Sequence, residues 1–295
     1  GQVLVIVNDR REAACVERVE ALRPAYGRFA SKLQVLRPDE LLAARPTRSR
    51  PMDLATRRRH VSTLYRRYWP FGVREGWRGN RGWRVQQALK LVASDRGESP
   101  FLLLLDAKNH FVRPVTSESF VSTRGRAKTF LRRPTDQQRT WIEASFALLG
   151  VRLPPSLERA PPGLTPYCVS RAVLASCLEA VEERVGPVET FFARRWSRAT
   201  EFMLIWAHVL DRHGDWFAVF DPGLQPPATI ARNCKPDVVD RILTQVEDGE
   251  PEMFSIHGSQ LRAFRPDQLR RIEAIWEERD LIVPSLLAAM EPGTR

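Results

Sequence analysis

The stretch Ser99-Pro100-Phe101-Leu102-Leu103-Leu104-Leu105-Asp106-Ala107-Lys108-Asn109-His110-Phe111-Val112-Arg113-Pro114 decides the fold. Five apolar residues run directly into an aspartate, and a polar cluster follows. A short unbroken apolar run bounded by turn residues fits a strand buried on both faces, as in a parallel sheet. The polar cluster then lies just past the strand's carboxyl end, where open α/β sheets bind their ligands. Immediately upstream, Trp83–Ala93 carries Val85, Ala88, Leu89 and Val92 on one helical stripe. The core unit is therefore a helix, a strand and an acid.

Working outward, residues 2–8 predict a first strand ending at Asn8-Asp9. A helix with Ala14, Val16, Val19 and Leu22 on one face follows, and Leu33–Leu36 predicts a second strand. This order and spacing predict a parallel βαβ unit. Asn8 and Asp9 then stand at the ligand edge as candidate contacts to a base or ribose, although Asp9 is equally placed to cap the helix.

Residues 44–82 interleave arginines, glycines and aromatics, from Arg45-Pro46-Thr47-Arg48 through Tyr68-Trp69-Pro70-Phe71 to Gly82. Such a segment can stack on sugars or bases and neutralise phosphates. A solvated basic helix with an anchored loop is the plainer reading. Further on, helices are predicted from Thr135 to Gly150, from Ser170 to Val185, within 188–213, over 235–248 and over 266–279. Late strands are predicted at Asp215–Phe220 and Glu252–Gly258.

Composition bounds the possibilities. The chain has 295 residues, 43% apolar and 27% charged, enough for a sizeable α/β core. No apolar run approaches the ~20 residues of a membrane helix. The amino-terminal apolar run is short and lacks a basic flank, so it predicts a strand and not a signal peptide. Cytoplasmic residence is expected, with peripheral contact to an anionic inner-membrane surface as an option. The net charge of +11 is arginine charge: 46 basic residues include only five lysines. That excess favours anionic partners such as nucleotide diphosphates, acidic glycans or lipid headgroups. A basic nucleic-acid-binding protein is an alternative reading, supported by the charge of +11 and by the arginine and aromatic segment, and opposed by the buried-strand-to-acid pattern and by charge spread along the whole chain. The four cysteines have no metal-site spacing and are expected to be reduced.

No P-loop, HExxH pair, zinc constellation or GxSxG elbow is present, and the first strand-helix turn lacks GxGxxG. Common NTPases, zincins, α/β-hydrolases and dinucleotide-binding Rossmann enzymes are thereby disfavoured. Instead, Gly82-Trp83, Gln86-Gln87, Leu89-Lys90-Leu91, Leu105-Asp106 and Phe111-x-Arg113-Pro114 resemble bacterial glycosyltransferases of the GT-A fold associated with capsule, lipopolysaccharide and other surface polysaccharides. Thr200-Glu201-Phe202-x-Leu204-Ile205 and Phe254-Ser255-Ile256-His257 resemble later elements of the same enzymes.

The resemblance implies one α/β domain over 1–295 with a mostly parallel, helix-flanked GT-A-like sheet. The 44–82 segment is an insertion in it, and a helical region at about 136–213 serves the acceptor. The implied donor is a nucleotide-diphospho-sugar, a UDP-sugar first among them, and the acceptor a surface glycan or lipid-linked sugar. Asp106 falls on the first acid of the D-x-D motif, which contacts the donor ribose or the metal. Lys108 stands where the second acid belongs, and an ammonium cannot ligate Mn²⁺ or Mg²⁺. Two readings stay open: a metal-free site in which Lys108 and arginines neutralise the diphosphate, or a metal held by Asp106, Asn109 and His257. Glu201 is the candidate base for the acceptor hydroxyl. Gln87 is a candidate donor-pocket residue, and Lys90, one turn on, is either a further donor contact or an ion-paired helix residue. His257 is a candidate phosphate contact. A degenerate, glycan-binding domain without catalysis is the alternative that Lys108 keeps in view.

Overall fold

The structure, a computed structural model, describes residues 1–9, 11–43, 82–193, 198–279 and 281. The basic and aromatic segment at 44–82 thus lies outside the described residues, apart from Gly82. The chain is mixed α/β, about 52% helix. It divides into two compact units, each built from three separate stretches.

The first unit comprises Gly1–Leu102, Arg132–Gly163 and Val169–Val219. It opens with β1 (Val3–Ile6), α1 (Glu12–Ala21) and β2 (Leu33–Leu36). The two strands pair in parallel from Val3↔Leu33 to Ile6↔Leu36, as the spacing predicts. After α2 (Pro38–Ala43), the unit's described elements are chiefly helices: α3 (Gly82–Val92), then α5 (Asp136–Leu149), α6 (Arg171–Val185), α7 (Val188–Ala193) and α8 (Glu201–His213). The start of α5 is fixed locally. Thr135 Oγ1 accepts from Gln138 N, and Gln138 Oε1 accepts in return from Thr135 N. Gly150 closes the same helix with φ 68°, a conformation glycine adopts without strain. In α8 all nine residues from Glu201 to Val209 are buried. A helix apolar on every side belongs at a centre, and α8 packs against α3, α5 and α6.

The second unit comprises Leu103–Leu131, Leu164–Cys168 and Phe220–Arg295. Its described elements are β4 (Asn109–Phe111), α4 (Ser117–Phe120), β5 (Ala127–Thr129), β7 (Phe220–Pro222), β8 (Ala228–Ile230), α9 (Pro236–Glu247), β9 (Met253–Ile256) and α10 (Pro266–Glu277). β8 runs parallel to β9, β4 antiparallel to it, and β5 pairs in parallel with β7. One core joins α9 and α10 to the sheet through Val239, Leu243, Ile272, Ile275, Phe254 and Ile230.

Several expectations change. The opening apolar run forms β3 (Phe101–Leu104), which pairs only with β6 (Tyr167–Ser170) among the described residues. It is not buried on both faces: Phe101, Leu102 and Leu103 are half-buried and Leu105 is 38% exposed. A two-stranded ribbon is too narrow to carry a full layer on each side. In place of one central, mostly parallel sheet, the described strands form four small ones. The Asp215–Phe220 strand is replaced by a 3₁₀ turn at Trp216–Ala218, because Asp215 Oδ1 accepts from Phe217 N and closes the backbone locally. Among the described residues, no helix is long and apolar enough to cross a membrane.

Candidate functional site

The site residues expected from the sequence fall into two clusters, one in each unit. In the second unit, Asp106–Asn109 forms the turn from β3 into β4. Asn109 N donates to Asp106 O (2.9 Å), and Asn109 Oδ1 accepts from Asp106 N (2.8 Å). Asp and Asn favour such turns because their short polar side chains bond nearby main chain. The other end of the Asn109 amide donates to Ser255 Oγ on β9 at 2.6 Å. With both ends of its amide used, Asn109 ties the turn to the neighbouring strand.

Lys108 Nζ lies 2.9 Å from Asp106 Oδ2 across this turn, with side chains 33% and 17% exposed. The register then places His257 beside the turn. Ile256 N donates to Lys108 O, and His257 N donates to Ile230 O. His257 is exposed. Its Nδ1 accepts from Ser259 N (3.2 Å) and lies 2.8 Å from Ser259 Oγ, which leaves the ring proton of the neutral imidazole on Nε2.

In the first unit, Lys90 on α3 and Glu201 at the start of α8 meet at 3.2 Å, with side chains only 12% and 6% exposed. Lys90 Nζ also stands 4.9 Å from the centroid of the Phe202 ring. Gln87, one turn earlier, is buried and donates to Trp83 O, while its Oε1 has no protein partner among the described residues. Asn8 Nδ2 donates to Gly82 O, fastening the end of β1 to the start of α3. Asp9 Oδ1 accepts from Arg11 N, the local bond a helix-entry aspartate makes. Asn8 and Asp9 follow a strand of the β1–β2 sheet, whereas Asp106 follows β3, which pairs with β6 in a separate sheet among the described residues. Thr200 precedes α8 without capping it, its Oγ1 buried and without a protein partner among the described residues.

A family model described as "Family of unknown function (DUF6492)" matches residues 42–221. The chain belongs to DUF6492. The matched stretch spans the DUF6492 chain from the end of α2 through β7. It contains Gln87, Lys90, Asp106, Lys108, Asn109 and Glu201, and leaves His257, Asn8 and Asp9 outside. No curated protein matches the chain.

The donor set at Asp106 and His257 does not fit a divalent cation in this DUF6492 chain. An ammonium already sits on the carboxylate, and the imidazole is turned by Ser259. Divalent cations of this kind need several oxygen donors. Among the described residues, no group of three or more His, Cys, Asp and Glu could hold a metal. Two features of the clusters were missed from sequence: Ser255 as the partner of Asn109, and the pairing of Lys90 with Glu201. The alternation Met253-Phe254-Ser255-Ile256 marks a strand but not which strand it joins; the second pairing leaves no local signal.

Proposed function

We propose that this protein transfers a sugar from a nucleotide-diphospho-sugar, a UDP-sugar first among them, to a glycan or lipid-linked acceptor, on a GT-A-like scaffold. The observation that carries this reading is the closed Asp106–Asn109 turn. It holds a carboxylate, an ammonium and an amide at a strand end, with His257 on the adjoining strand. In glycosyl transfer the acceptor oxygen forms a bond to the sugar's anomeric carbon, and the bond from that carbon to the diphosphate oxygen breaks. The diphosphate leaves with the electron pair, and the acceptor's proton passes to a base. Fixed cationic donors stabilise the charge gathering on the leaving group. The excess of arginine suits the same anionic donor. Glu201 is buried and held by Lys90, an arrangement suited to supporting α3 and α8, so the acceptor base is not assigned to it.

A thermal-shift screen across UDP-, GDP-, CMP- and dTDP-sugars tests the proposal, followed by chromatography of donor turnover. One nucleotide class should raise Tm, since a ligand bound only by the folded state at 100 times its Kd adds about 2.7 kcal/mol. No shift and no turnover with any donor would sink the reading.

A further inference from the structure

Three strands of the second unit present their ends on one edge of the β4–β9–β8 sheet. The parallel strands β8 and β9 both finish there, and antiparallel β4 starts there. Ile230 is in register with Ile256, and Ile256 N bonds Lys108 O. Just beyond this row come Asp106, in the turn before β4, His257, directly after β9, and Arg232, in the turn after β8. Arg232 is exposed and in no ion pair among the described residues.

The charge at this edge is one-sided. The segments 105–109, 230–235 and 256–263 contain Lys108, Arg232, Lys235 and Arg262, and a single carboxylate, Asp106. Asp106 is committed to Lys108, which it holds in place. His257 adds an Nε2–H donor, because Ser259 N donates to its Nδ1. A Cβ on Gly258, next to His257, would meet nothing within 4 Å among the described residues.

We infer that this edge is a metal-free receptor for a diphosphate ester, with Lys108, Arg232 and the His257 Nε2–H together supplying what a divalent cation supplies elsewhere. The inference rests on the sugar-transfer reading for the identity of the ester. Asp106 is then a positioning residue, fixing the Lys108 ammonium so that no reorganisation is needed when charge develops on the leaving oxygen. Arg232 contributes a planar, bidentate phosphate donor. Neither Arg232 nor Lys108 is buried, so their replacement leaves the fold intact.

The test is calorimetric titration of the full chain with UDP and with inorganic pyrophosphate, first in EDTA and then with Mn²⁺. Lys108→Ala and Arg232→Ala are compared with Arg241→Ala, an exposed arginine on α9. Wild type should bind UDP in EDTA. Each edge variant should lose about ten- to a hundredfold in affinity, as for a charged hydrogen bond, and Arg241→Ala less than about twofold. Binding should weaken as salt rises. UDP binding that requires Mn²⁺ overturns the inference, as does unchanged affinity in both edge variants or no binding of either probe. Donor turnover that persists in the edge variants sinks the edge and keeps sugar transfer. Pyrophosphate binding lost in the edge variants, with no recognition of any nucleotide sugar, keeps the edge and sinks sugar transfer.

Discussion

Glu201→Gln should destabilise the first unit strongly. The substitution removes a negative charge 3.2 Å from Lys90 Nζ, where the two side chains are only 12% and 6% exposed. Breaking a buried pair from one side costs about 3–5 kcal/mol, because the remaining charge stays in a medium that solvates it poorly. Against a typical domain stability of about 5–15 kcal/mol, that is a large fraction. In a unit of this size it lowers Tm by roughly 10 °C. Urea unfolding followed by tryptophan fluorescence measures the change; Trp206 lies on α8 itself. Lys90→Met combined with Glu201→Gln removes both charges and should recover most of the loss, because no uncompensated charge is then left buried. A single Glu201→Gln variant within about 0.5 kcal/mol of wild type would falsify the argument from burial. The double variant also separates structure from chemistry. If sugar transfer returns together with stability, Glu201 is not the base. A stable double variant slowed by about 100-fold or more would assign the base to Glu201 after all.

Two further outcomes follow from the same geometry. Thr135→Ala removes the hydroxyl that accepts from Gln138 N and should cost about 1 kcal/mol, read as a lower urea midpoint with unchanged slope; an unchanged midpoint refutes the capping box as the anchor of α5. Burial holds His110 below the usual imidazole range, opposed in part by the Phe254 main chain, and it holds His208 low as well, with Arg212 adding to the effect. Both rings are therefore more readily protonated when unfolded. Their contribution is complete above about pH 6.5 and is lost as pH falls below it, by at most about 1.4 kcal/mol per pH unit for each proton. His110→Gln should reduce that slope by one proton in unfolding measured between pH 7 and 5, and an unaltered slope rules His110 out.

The parts of the fold legible in the sequence were those written locally. The β1–α1–β2 unit, α3, α5, α6, α9 and α10 carry their periodicity within a few residues, and α5 carries its caps there too, in Thr135, Gln138 and Gly150. The short strands were harder. β4, β5 and β8 have three residues each, too few for alternation to register, and β4 finds its partner 146 residues away through Asn109 and Ser255. At Asp215 a single aspartate turned an apolar run into a 3₁₀ turn, a local signal that was present and outvoted by hydrophobicity. For the candidate site, the Asp106–Lys108 contact spans two residues and follows from the turn. The Lys90–Glu201 contact spans 111 residues, and only the packing of α3 against α8 reveals it.

The interleaving of the two units has a consequence for biosynthesis. All three stretches of the first unit have been made once Val219 emerges. The second unit is still half written at that point: β5 awaits β7, and β4 awaits β9. The Asp106–Asn109 turn therefore leaves the ribosome well before Ser255, the serine that fastens it. A nascent chain stalled so that residue 220 has just emerged from the ribosome should resist protease across α5, α6 and α8 while 103–131 is cut. Any functional competence at the Lys108 edge thus has to wait until β8 and β9 have been made.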